Sequence, residues 1–203
     1  MTVDPNWRLD PRIGLGQLKF GMQPQQVDAL ASIYGSSKSR MDDRIPDDIL
    51  QSTLADLGEG LTDEEKQEII AAYQAAGPSV TSQTEIRGET EYLVLGYEDG
   101  RLVEILADRS TRRLTFGGVA VLDENPLALI RRMSEALGEA PVIQNEEVAF
   151  PKNFIFLFEF VREAPGAAPG AYSEGSPEER SIIWRSGPRV GGVDLSTYKP
   201  MTL

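Results

Sequence analysis

Residues 16–35 read Gly16-Gln-Leu18-Lys-Phe20-Gly-Met22-Gln-Pro24-Gln-Gln-Val27-Asp-Ala-Leu30-Ala-Ser-Ile33-Tyr-Gly35. Residues 117–138 read Gly117-Gly-Val119-Ala-Val121-Leu-Asp-Glu-Asn-Pro126-Leu-Ala-Leu129-Ile130-Arg-Arg-Met133-Ser-Glu-Ala-Leu137-Gly138. Each stretch alternates apolar residues with a period of two, turns, opens an amphipathic helix on Pro and closes on Gly. Pro to Gly takes eleven residues in the first stretch and twelve in the second, where Asn125 stands as N-cap. This self-similarity predicts two tandem units, 1–110 and 111–203, packed as one compact body.

Outward from these stretches the pattern is that of strands. Residues 80–87, 91–97 and 101–108 are short, rich in β-branched, aliphatic and aromatic side chains, and Asp99-Gly100 between the last two is a hairpin turn signal. Residues 112–121 continue as strand, with a bulge or bend at Gly117-Gly118. Strands are expected again at 142–150, 153–162 and 181–185. In 153–162, Phe154, Phe156, Phe158 and Phe160 alternate with Ile155, Leu157 and Val161, as in a central strand covered on both faces. Residues 164–177 are rich in Ala, Pro, Gly and Ser and read as a loop, and a Gly/Pro-rich tail follows 185.

One segment interrupts the first unit. Between Met41 and Glu68 there are ten acids against Arg44 and Lys66, so this segment holds −8 of the chain's −12. It reads as an acidic helical insertion, 41–77. Pro46-Asp47-Asp48 opens a helix with Ile49, Leu50, Thr53, Leu54 and Leu57 at helical spacing and Gly58 as a stop. Thr62 and Glu65 have capping-box spacing, and Ile69, Ile70, Tyr73 and Ala76 form one stripe before Gly77-Pro78. Acids in first turns favour the helix dipole, which accounts for part of the clustering.

Composition narrows the function. The 203 residues include no His and no Cys, which excludes Ser-His-Asp and Cys nucleophile chemistry, Cys/His zinc sites and disulfides. A net charge of −12 argues against nucleic acid as a partner and suits a basic protein. The N-terminus lacks a basic stretch followed by an apolar one, and no apolar run approaches the ~20 residues of a membrane span. A cytoplasmic, non-enzymatic protein without metal or cofactor is expected.

The stretch Leu18-Lys-Phe20-Gly21-Met22-Gln-Pro24-Gln-Gln-Val27-Asp-Ala-Leu30 resembles the opening of the small α/β repeat of β-lactamase inhibitor proteins and of the small lipoprotein of the outer-membrane assembly machinery. The resemblance implies an α+β fold of two tandem helix-plus-antiparallel-sheet repeats, joined in one continuous curved sheet with helices on one face. Tandem copies without a leader are similar to bacterial immunity proteins, which neutralise secreted toxins. The chain departs from the lipoprotein in having no Cys anchor and from the periplasmic inhibitors in having neither disulfides nor leader. The function so implied is a cytosolic immunity (antitoxin) protein that binds one toxin, a nuclease or an NAD- or nucleotide-degrading enzyme, and occludes its active site. The alternative is an acidic secretion chaperone or export adaptor.

The candidate partner-binding residues are Asp42, Asp43, Asp47 and Asp48 in the insertion, with Trp7 and Tyr172 as aromatic anchors in segments that carry no regular pattern. Tyr97 and Trp184 belong in the core. The four aspartates do not have EF-hand spacing, so neither a metal site nor acid–base work is assigned to them. Gly14-Leu15-Gly16 is better read as a turn than as a phosphate loop. Arg109, Arg112, Arg113, Arg131 and Arg132 form a local basic patch, normally a solvated face.

Overall fold

In the computed structural model, which describes residues 4–56, 60–163, 170–188 and 194–203, the first quoted stretch folds around a tight turn at Gly21. Strands β1 (Leu9–Asp10), β2 (Gly14–Leu15) and β3 (Leu18–Lys19) form a three-stranded antiparallel sheet. The Gly21 amide then donates to Leu102 O, and the Leu102 amide donates back to Met22 O. Pro24 opens helix α1 (Pro24–Asp28), capped by a reciprocal Gln23–Gln26 pair. The helix expected to run on to Gly35 breaks at Ala29-Leu30, and α2 (Ala31–Tyr34) is a separate turn. The cause is visible at Val27: its carbonyl accepts from the Leu30 amide in a tightened turn and from the Arg87 guanidinium, so the helix stops there.

The second quoted stretch keeps its helix whole. Asn125 Oδ1 accepts from the Ala128 amide at 3.1 Å, Pro126 starts α5 (Pro126–Leu137), and Gly138 ends it with φ +61°, where Cβ-bearing residues are disfavoured. Residues 112–121 are not one strand but two short ones, β8 (Thr115–Phe116) and β9 (Val119–Ala120), turned at Gly117-Gly118.

The largest sheet has nine strands and draws on both halves of the chain. From the first half come β4 (Ser37–Asp42), β5 (Gln83–Arg87), β6 (Leu93–Glu98) and β7 (Arg101–Asp108). From the second come β10 (Val142–Gln144), β11 (Glu147–Phe150), β12 (Ile155–Phe158), β15 (Ser181–Arg185) and β16 (Lys199–Pro200). The order is β16-β10-β11-β12-β15-β7-β6-β5-β4, antiparallel throughout, with β15 paired to β7 at the junction. Strands β13 (Val161–Glu163) and β14 (Tyr172–Glu174) form a further ribbon. The protein is thus a mixed α+β fold with antiparallel sheets.

The finer expectation is corrected: the chain does not form one continuous sheet with two clear repeats. Seven strands lie in three separate small sheets, and the helix of the first unit is broken where that of the second is whole. Two expected strands are also each broken by a turn, the first into a hairpin and the second into strands of two different sheets. Residues 142–150 turn at Asn145 (φ +54°), and 153–162 turn at Glu159 (φ +59°), so Phe160 and Val161 leave the register of Phe156 and Phe158. Within 164–177, residues 164–169 lie outside the described segments and Tyr172–Glu174 is strand rather than loop. The expected stop at Leu57-Gly58 also lies outside them.

One face of the large sheet makes the core. Phe150, Ile155, Trp184, Ile105 and Leu95 stand in one row across five strands, and Ile143, Val148, Leu157, Ile182, Ala107 and Leu93 in the next. All are buried in a single cluster with Val27 of α1 and Leu129, Ile130 and Met133 of α5. Trp184 and Tyr97 are fully buried, as expected, and the Trp184 indole donates to Gly14 O at 3.1 Å, tying the small sheet to the large one.

Towards β4 the core rows turn polar. Glu85 and Arg87 continue them on β5 and are both fully buried. Arg87 donates to Val27 O at 2.8 Å and to Asp28 at 2.7 Å, while Glu85 Oε2 accepts from Tyr97 at 2.7 Å and Arg40 at 2.9 Å. Burial, and then the carboxylate beside it, push the Tyr97 hydroxyl's pKa well above the ordinary tyrosine range. These charges pin the end of α1 to the sheet.

Candidate functional site

Asp42 pairs with Gln83 across β4 and β5, so residues 43–82 are inserted in the turn of a hairpin at the edge of the large sheet. The base of the insertion is sealed by backbone and side chain together. The Asp43 amide donates to Ser82 O at 2.9 Å, and the Ser82 hydroxyl donates to the Asp43 carboxylate. Arg44 donates to Pro78 O at 3.1 Å and stacks on Tyr73 with its guanidinium 5.3 Å from the ring centre. The Tyr73 hydroxyl accepts from the Ile45 amide at 2.8 Å.

Above this base stand helices α3 (Asp47–Asp56) and α4 (Asp63–Ala76). The α4 start follows its sequence signature: Thr62 Oγ1 accepts from the Glu65 amide, and Glu65 Oε2 accepts from the Thr62 amide at 2.7 Å. The two-helix unit buries little. Leu54 is its one buried apolar side chain among the described residues and is not part of the main core cluster. Ile49 and Ile69, expected to face inward, lie on the surface. Two amphipathic helices at a sheet edge have only each other to pack against, so part of each stripe stays in solvent.

Acids and large apolar side chains are both exposed on and beside the insertion. Val80 is 76% exposed and Met41 57%, and with Ile45, Ile49 and Ile69 they make five of the nine large exposed hydrophobics among the described residues. All five lie within residues 41–82, on or directly beside the insertion. The exposure of Ile49 and Ile69 was hidden in the sequence because both fit an apolar helical stripe.

The aspartates are not equivalent. Asp42 and Asp47 line one open depression with Arg44, Pro46 and Val80. Asp42 accepts from Gln83 Nε2 at 2.7 Å, and Asp47 accepts from Arg44 at 3.1 Å and Gln74 at 3.2 Å. Asp43 lines a different cleft, on the sheet side of the insertion. Asp48 is exposed, and its carboxylate makes no hydrogen bond or ion pair among the described residues. The two aromatic anchors lie elsewhere. Trp7 is 1% exposed, stacked beneath Arg113 and tilted against Tyr34, so it is a core residue rather than a surface anchor. A segment without strand or helix pattern can still be buried, and here a short 3-10 turn carries the indole inward. Tyr172 is half-buried on β14, with its hydroxyl accepting from the Thr202 amide at 3.1 Å.

Of the expected basic patch, Arg109 pairs with Asp123 and Arg113 with Glu91, so two of its five cations are already engaged. No group of three or more Asp or Glu side chains among the described residues is placed to hold a metal ion, and no helix there is long and apolar enough to cross a membrane.

The hydrogen bonds from the Thr62 backbone and hydroxyl hold the Glu65 carboxyl below its ordinary pKa. A depressed folded value means that the cap's contribution is present above the ordinary carboxylate range, about 4.3, and is lost as pH falls through the folded value. Thr62→Ala is expected to move the Glu65 carboxyl upward in an NMR pH titration. It should also speed amide exchange in the first turn of α4; an unmoved titration would contradict the cap.

Comparison of the chain with known protein families, with characterised proteins and with solved structures finds no match.

Proposed function

We propose that this chain is an immunity-type protein acting in the bacterial cytoplasm, which binds a secreted toxin one to one and occludes its active site. The observation that carries the reading is the insertion with its flanks, 41–82: net −8 in sequence, with five exposed large apolar side chains. Acids at the surface steer a basic protein into contact, and the apolar residues between them supply the area that holds it once docked. A nuclease, whose cleft is basic to receive phosphates, is the toxin class that fits best; an NAD- or nucleotide-degrading enzyme presents a similar anion pocket. In this reading Asp42, Asp47 and Asp48 face the partner, with Met41, Ile49, Ile69 and Val80 as its apolar contacts.

The exposed apolar residues also favour a second reading, an acidic chaperone for an export segment, which requires an obligate dimer. Light scattering separates the two, because the inhibitor reading predicts a monomer when the partner is absent. The direct test is capture of the partner from the organism that makes the chain. A partner whose expression alone arrests growth, and whose enzyme activity falls to background at one equivalent of the chain, is the expected result. Recovery of no toxic protein would overturn the reading.

A further inference from the structure

Thr84, Gly96, Glu104 and Arg185 are cross-strand neighbours on β5, β6, β7 and β15, on the sheet face opposite Leu95, Ile105 and Trp184. Gly96 leaves this row without a side chain at its middle. Its own backbone does not demand glycine, and a Cβ there would stand 3.0 Å from Glu104 Cβ, a tight contact that would press on the Glu104 side chain. The gap is the floor of a cleft of about 80 Å³, closed on the insertion side by Asp43 and Ser82.

The walls of the cleft are anionic. Asp43, Glu98 and Glu104 line it against a single cation, Arg185. That guanidinium is already engaged: it pairs with Glu104 Oε2 and lies over the Phe156 ring at 5.2 Å. Glu104 Oε1 sits over the floor, 3.5 Å from where a Gly96 Cβ would be. Neither it nor Glu98 makes a side-chain hydrogen bond or ion pair among the described residues. The carboxylates do not converge as metal ligands do. A cation that satisfies them has to be extended and carry several donors, and the volume admits a group of a few heavy atoms.

From this we infer that the cleft seats the guanidinium or ammonium head of one Arg or Lys side chain of the partner. The source of that side chain rests on the inhibitory reading above; the preference of the cleft for an organic cation does not. Glu98 and Glu104 Oε1 accept from the head, and Asp43, oriented by the Ser82 hydroxyl, closes the third side.

The test is an NMR titration of the full chain with n-butylguanidinium, an arginine side-chain analogue, at constant ionic strength. Saturable shifts of the Ser82, Gly96 and Gly187 amides, with a Kd of roughly millimolar order for so small a ligand, are expected. Gly96→Val, which fills the floor, should raise that Kd at least tenfold. Glu98→Gln should raise it severalfold, and it carries the test if Gly96→Val fails to fold. Absence of saturable shifts, or unchanged binding by both variants, would overturn the site. Agmatine, a free dication, serves as the second probe: binding about 100-fold tighter than butylguanidinium would assign the cleft to a free polyamine instead. Butylguanidinium binding without capture of any toxin would retain the cleft and remove the inhibitory reading; capture without such binding would do the reverse.

Discussion

Arg87→Met is expected to destabilise the chain by about 3–5 kcal/mol in urea unfolding at neutral pH. Arg87 is fully buried and reaches in two directions, to Val27 O and Asp28 at the end of α1 and towards Glu85 on its own strand. Its Nε lies 3.1 Å from Glu85 Oε1 but out of line for a hydrogen bond, so the Glu85 attraction there is one of charge. Methionine replaces the volume and removes every donor. Glu85 would then keep Arg40 and Tyr97 as partners, with one oxygen buried and unmatched. The end of α1 would lose its hydrogen bonds to β5 in the same step, keeping only the Arg40–Asp28 ion pair at 3.5 Å. The double variant Arg87→Met/Glu85→Leu should recover part of the loss, because it removes the stranded charge as well as its partner. A loss below about 1 kcal/mol for the single variant would show that the network contributes little.

Neutralising Asp42, Asp47 and Asp48 together is expected to slow association with the captured partner by about 10- to 100-fold at low salt. The three acids lie within seven residues at the foot of the insertion, and the Asp48 carboxylate is bound to nothing else among the described residues. Near-physiological salt shortens the Debye length to about 8 Å, so the difference should shrink there, with dissociation little changed. Ile49→Ser/Ile69→Ser should do the opposite, leaving the association rate and speeding dissociation, since buried apolar contacts act after encounter. Stopped-flow mixing followed by competitor chase separates the two rates. Equal association rates for the wild type and the charge-neutralised variant at low salt would remove the insertion from the encounter.

The parts of the fold legible in the sequence are those where local signals agree with packing. Helix α5 has its Asn125 cap, Pro126 start, apolar stripe and Gly138 stop, and α4 has its Thr62–Glu65 box, so both were readable to the residue. Strands β7 and β15 were readable for the same reason. Strand β4, Ser37–Asp42, carried no signal: five of its six residues are polar, and it is a strand only because β5 offers it an edge. The turns at Asn145 and Glu159 were masked by apolar residues running through them, which suit one long strand as well as two short ones. The site was legible only in its charge. Ile49 and Ile69 read as helix interior until the shortage of neighbours is known. The cleft joins Asp43 to Glu104 and Arg185 across strands that no local pattern places side by side. Trp7 is the reverse case, a residue offered to a partner by its irregular surroundings and taken by the core.

The central claim is capture of a toxin by the insertion, and co-expression tests it most directly. The partner purified on the full chain is expressed alone, with the wild-type chain, and with a chain carrying Asp42→Asn, Asp47→Asn, Asp48→Asn, Ile49→Ser and Ile69→Ser, whose folding is checked by circular dichroism. The account predicts growth arrest alone, full rescue by the wild type and loss of rescue with the folded variant. Rescue by that variant as complete as by the wild type would contradict it.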